Sequence, residues 1–189
     1  MELKKPKILF LHSAGPQHGD EGSSRLLSFI HDQLSPSFEI VAPRMPHPDQ
    51  PDYESWRNAL REIFKILDND TILIGHSLGG SVLLKYLSEE PVDQRIRALY
   101  LVAVPFWGLD GWEVDEFKLG DDFAARLPEI TNIIIYQSED DQTVTSDHAD
   151  EYASMIPSAE YYSLNGYGHV YWNGLPHLIK HLKQLAVQG

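Results

Sequence analysis

Six short runs of apolar, mostly β-branched or aromatic residues punctuate the chain, and longer amphipathic stretches separate them. The runs are 7–12, 38–42, 71–75, 98–104, 132–137 and 160–164. Several carry no polar alternation, the pattern of strands covered on both faces. Between them, Tyr53, Trp56, Leu60, Ile63, Phe64 and Leu67 fall on one stripe at helical spacing and predict a helix over 53–67. The segments 21–34, 77–88, 146–155 and 175–187 read as helices in the same way. Such a β-α-β-α alternation predicts an α/β fold, with a mostly parallel sheet and helices on both faces.

The 189 residues suit one domain, 1–189. With 28 acidic against 15 basic side chains the net charge is −13, so a phosphate surface would repel most of the chain. That argues against nucleic acid or an anionic membrane as partner. Cysteine is absent, which removes disulfides, thiolate metal sites and a Cys nucleophile. The N-terminus is polar and the apolar run after it, Ile8 to Leu11, is too short for a signal peptide or a membrane span. A cytoplasmic protein is expected. Four prolines make 43–51 a stiff loop. The stretch 105–128 has no clear period but holds Phe106, Trp107, Trp112 and Phe117. It reads as a small lid or a pocket wall, or as a surface excursion that its aromatics pin to the core.

Chemistry concentrates at Gly75-His76-Ser77-Leu78-Gly79, where an apolar strand candidate leads in and a helix candidate leads out. A serine in that strand–turn–helix setting sits on a tight, strained turn that lifts its Oγ clear of the sheet. Residues two before and two after it pass close to neighbouring backbone, so glycine is needed at 75 and 79. The helix starts directly after the serine, and its first N–H groups face developing negative charge. Leu78 N–H is therefore an oxyanion donor. A Gly-rich turn that cradles phosphate is the weaker reading, since no Lys follows Gly79.

A serine hydroxyl needs a base, and the base needs an acid to orient it. His169 follows the last strand candidate through Asn165-Gly166-Tyr167-Gly168, a turn that lets an imidazole reach over the sheet edge. The acid is expected where the preceding strand ends, at Glu139-Asp140-Asp141. Asp141 is preferred because Val144, three residues on, can pack the turn beneath it; Asp140 is the alternative. His177 and His181 stand four apart on a helix, but Leu178 replaces the Glu of a zinc motif and no third ligand is evident. They read as a solvated face, and no metal site is expected.

Ser77, Asp141 and His169 in this order, with the Gly75-His76-Ser77-Leu78-Gly79-Gly80 elbow, the Asp141-Gln142-Thr143-Val144 turn and Gly166-Tyr167-Gly168-His169, resemble the α/β-hydrolase superfamily. The short length resembles its compact branch, that of the retinoblastoma-binding serine hydrolase and the bacterial YdeN-like proteins. The resemblance implies a single-domain α/β-hydrolase fold with six strands, the elbow strand central, and a small or absent cap. It also implies a second oxyanion donor just after the first strand, where His12-Ser13-Ala14-Gly15 stands in place of His-Gly-x. Ala14 inherits that role, with Ser13 as the other candidate.

These readings converge on a serine hydrolase, a carboxylesterase for small apolar acyl esters, with no cofactor. His12, Ser13 and His76 are expected at its pocket, with Phe106, Trp107, Trp112 and Phe117 as an apolar wall. Asp49, Asp110, Glu113, Asp115 and Glu116 on nearby loops disfavour an anionic substrate such as an acyl-CoA. Thioesterase or amidase chemistry fits the same three residues. A protein-binding module on a hydrolase scaffold is the alternative from a different class, and partner binding is linked to the compact branch.

Overall fold

The apolar runs pair into one sheet in a computed structural model that describes residues 5–187; the ends of the expected domain, 1–4 and 188–189, lie outside it. The strands are β1 (Lys7–Leu11), β2 (Glu39–Val41), β3 (Thr71–His76), β4 (Ile96–Val102), β5 (Ile130–Ser138) and β6 (Glu160–Leu164). They are ordered β2-β1-β3-β4-β5-β6 and every neighbouring pair is parallel. Chain order reverses between β1 and β3, and a crevice opens outside the carboxyl ends of strands at such a switch point.

Strand alternation divides the core into two layers. Leu9, Leu11 and Leu73 face one side with α2 (Tyr53–Phe64), α3 (Leu78–Glu89) and α5 (Ser146–Met155). Ile8, Phe10, Ile72 and Ile74 face the other, with α1 (Ser24–Leu34) and α6 (Pro176–Val187). All six residues of β3 are buried, as a strand covered twice requires. Helix α2 starts at a capping Asp52, whose carboxylate accepts from Ser55 N at 2.7 Å. It ends at Phe64, three residues short of the expected end, where Ile66 and Leu67 donate three residues back instead of four. Leu67 is buried all the same, so the apolar stripe outlasts the α-helical backbone.

The stretch 105–128 contains a 3₁₀ turn, Asp115–Phe117, and the one-turn helix α4 (Phe123–Arg126). Its base is fixed, because Pro105 O accepts from Ser81 Oγ at 3.0 Å and from Tyr152 OH at 2.9 Å. His181 is not the solvated residue expected. Its Nδ1 meets Tyr136 OH at 2.5 Å, and burial pushes the imidazole down. No helix among the described residues is long and apolar enough to cross a membrane.

Candidate active site

Ser77 lies just past β3 with φ 52° and ψ −126°, a backbone region that costs a non-glycine residue about 1–3 kcal/mol. Two glycines make the turn sterically feasible. A Cβ on Gly79 would stand 2.5 Å from Leu11 O and 2.6 Å from His12 O, and one on Gly75 would stand 2.6 Å from Gly80 N. The elbow is therefore wedged against the end of β1. Ser77 N donates to Val102 O at 2.9 Å, which ties the turn to β4. Leu78 N, the first of α3, has no carbonyl four residues back inside the helix and lies at the lip of a cavity.

His169 is carried by the loop after β6. Its Nε2 is 3.1 Å from Ser77 Oγ and its Nδ1 is 2.8 Å from Asp141 Oδ2. The Asp141 side chain is fully buried. Its Oδ1 accepts from Thr143 N at 2.8 Å and Val144 N at 2.9 Å, and Gln137 Nε2 lies 3.3 Å from Oδ2. Burial pushes this carboxyl up, yet His169 and the two backbone N–H groups outweigh it and hold it below the usual carboxylate range. Asp140 has a different task. It accepts from Gly166 N at 3.0 Å, Gly168 N at 3.2 Å and Ser138 Oγ at 2.5 Å, so it clamps the loop that presents His169.

The loop after β1 supplies the opposite wall. Ser13 N is already engaged, donating to Ser23 Oγ at 2.7 Å, and Gly15 N donates to Pro48 O at 2.7 Å. Ala14 lies between them and lines the cavity.

The cavity holds about 350 Å³. Ser77, Leu78, His169, Ser13 and Ala14 form its polar end, and Trp107, Trp112 and Phe117 its aromatic wall. Trp107 packs at 5.0 Å from both Trp112 and Phe117, centroid to centroid. Three expected pocket residues lie elsewhere. Phe106 turns into the core against Tyr152, and its N–H is fixed by His148 Nδ1 at 2.9 Å. His12 is buried against Phe10, and burial pushes it down to about 4. His76 is wholly buried, between Ser23 and the main chain of His169. Adjacency in sequence does not place a side chain at the cavity: Ala14 and Leu78 line it beside Ser13 and Ser77, whereas His12 and His76 do not. Conversely, Gly22, Pro51, Pro105, Thr143 and Val170 line the cavity, and the sequence singles out none of them as a pocket residue. Among the described residues no three His, Asp or Glu side chains gather in metal-ligating geometry.

Known proteins share this architecture. The YdeN protein of Bacillus subtilis is 29% identical over 127 residues, 66% of each chain. An uncharacterised Mycobacterium tuberculosis protein is 29% identical over 106 residues, 52% of this chain and 29% of its own length, so the chain spans about two thirds or less of these curated relatives. The crystal structure of YdeN superposes with a TM-score of 0.80 at 21% identity, covering 98% of this chain and 100% of that one. Est1E of Butyrivibrio proteoclasticus superposes with a TM-score of 0.72 at 16% identity, covering 98% and 88%. These likenesses carry the α/β-hydrolase fold. A family model described as serine hydrolase matches residues 27–177, and the chain belongs to that family.

Proposed function

We propose that the chain is a carboxylesterase for small apolar acyl esters, with Ser77 as nucleophile, His169 as general base and Asp141 as its orienting acid. The observation that carries this is the unbroken hydrogen-bonded path from Ser77 Oγ through His169 to Asp141 at the mouth of an apolar cavity. Ser77 Oγ attacks the ester carbonyl while His169 Nε2 takes its proton, and Asp141 keeps the other proton on Nδ1. The carbonyl oxygen becomes an oxyanion facing the N–H groups of Leu78 and Ala14, each worth about 3 kcal/mol in sites of this kind. Collapse expels the alcohol, which receives the proton from His169. Water, activated by the same imidazole, then releases the acid and restores Ser77.

The aromatic wall at 107–117 favours an uncharged acyl group, and about 350 Å³ accommodates a short or single-ring one. Glu116 stands close by, accepting from Tyr53 N at 2.9 Å, and Asp115 pairs with Lys118 at 2.7 Å. The net charge of −13 works against anionic substrates. The test is labelling with a fluorophosphonate probe, mapped by mass spectrometry, followed by p-nitrophenyl esters of increasing chain length. Stoichiometric labelling at Ser77 that disappears in Ser77→Ala and His169→Ala is expected. Folded protein that stays unlabelled would overturn the reading and leave a binding module on a hydrolase scaffold.

A further inference from the structure

His76 is unusual in being next to the candidate nucleophile yet wholly buried, with both ring nitrogens engaged. Its Nε2 lies 2.8 Å from His169 O. A carbonyl only accepts, so Nε2 carries the proton. Burial pushes the ring down to about 3, with the neighbouring His169 adding to it, so the imidazole is neutral and Nδ1 is a bare acceptor. The group 2.7 Å from Nδ1 is the Ser23 hydroxyl, which must spend its only proton there. Ser23 Oγ in turn accepts the Ser13 N–H at 2.7 Å, and the Ser13 hydroxyl lies 3.0 Å away. The links thus run from the His169 main chain through His76 and Ser23 to the Ser13 main chain.

A second observation points the same way. Ser23 occupies the N-cap position of α1, where a serine hydroxyl ordinarily accepts from the helix, but it makes no such bond. The hydroxyl is diverted from the helix to His76. The linked groups sit on four separate segments: the loop after β1, the start of α1, the end of β3 and the loop after β6. Two of these segments carry candidate reacting groups, Ala14 N–H and the His169 ring.

We propose that Ser23 and His76 are positioning residues, a buried relay that fixes the oxyanion loop and the general base relative to each other. The relay rests on the reading of Ser77 and His169 given above. It touches no substrate. Its effects are to hold Ser13 N–H away from the cavity, which leaves Ala14 N–H as the donor, and to pin the backbone from which the His169 ring projects. Loss of either link lets the two halves of the site move independently.

The test measures fluorophosphonate labelling of Ser77 in the full chain, separating the saturating rate from the half-saturating probe concentration, for wild type, Ser23→Ala, His76→Ala and His76→Gln. Displacements of about 1 Å cost on the order of 100-fold, so Ser23→Ala and His76→Ala should lower the saturating rate by roughly 10- to 100-fold. The half-saturating concentration should stay within about threefold, because the cavity lining is untouched. Glutamine keeps a donor for His169 O, and His76→Gln should recover part of the rate. If His76→Ala does not fold, Ser23→Ala, which removes only a hydroxyl, carries the test. A merely structural role would lower the melting temperature and leave the saturating rate per folded molecule unchanged, and that result overturns the relay. Wild type unlabelled at Ser77 sinks the hydrolase reading and the relay with it; labelled wild type with indifferent variants sinks the relay alone.

Discussion

Replacing Asp141 by Asn separates an orienting carboxylate from one that merely packs. Asp141 Oδ1 accepts from two backbone N–H groups, Thr143 at 2.8 Å and Val144 at 2.9 Å. An asparagine oxygen must stay at that position, since an NH₂ there would leave two buried donors unsatisfied at about 1–3 kcal/mol each. The NH₂ therefore falls where Oδ2 was, facing His169 Nδ1. To accept from it, His169 must move its proton to Nε2, and Nε2 then cannot take the proton of Ser77. Wrong-tautomer trapping of this kind costs about 10⁴ in kcat in a Ser-His-Asp triad. That is about 5 kcal/mol in the barrier, with the fold retained. Hydrolysis of p-nitrophenyl butyrate and fluorophosphonate labelling would read the loss, with near-UV circular dichroism as the folding control. Asp140→Asn should cost about tenfold or less, as Asp140 clamps only the backbone of the His169 loop. Asp141→Asn within tenfold of wild type, with Asp140→Asn down 10³-fold, would refute the assignment.

Two predictions concern stability. Gly79→Ala drives a Cβ to 2.5 Å from Leu11 O, and backbone cannot yield as a side chain tip does. A cost of about 2–3 kcal/mol follows, a fall of roughly 5–10 °C in melting temperature, and a melting temperature within 1 °C of wild type would refute it. Burial pushes His76 to about 3 and His12 to about 4, whereas the unfolded chain binds those protons near 6.5. Stability is therefore lost as pH falls below 6.5 and until the folded-state values are reached, by up to about 1.4 kcal/mol per pH unit for each histidine. Urea unfolding at pH 7 and pH 5 should show the loss, and equal midpoints would contradict it.

The α/β architecture was legible because the doubly covered strands are nearly pure apolar runs. Run ends were less so. Strand β5 starts at Ile130, two residues before the expected start, because pairing with Ile96 extends it through a polar threonine that composition reads as loop. The elbow was legible because its steric demands are written as glycine. The acid turn was legible in part: three adjacent carboxylates differ only in which backbone N–H groups they meet, and the structure sets Asp141 on the His169 ring and Asp140 on its loop. His76 and His12 were misplaced because proximity in sequence says nothing of the face a side chain takes. Ser23 was invisible, as nothing local marks a serine whose partners lie 10 and 53 positions away.

The stretch that walls the cavity leaves the sheet after β4 and returns at β5, strands that pair directly from Ile96↔Ile130 to Val102↔Tyr136. Sheet integrity therefore places no limit on how long that excursion is. Doubling a flexible loop costs only about 0.6 kcal/mol in closure entropy. Extra chain inserted here would roof the cavity without disturbing the residues beneath, because Ser81 and Tyr152 hold Pro105 at the point of departure. An engineer wishing to reshape the cavity has a graft point in 107–117, a segment outside the strands that lead to Ser77, Asp141 and the His169 loop.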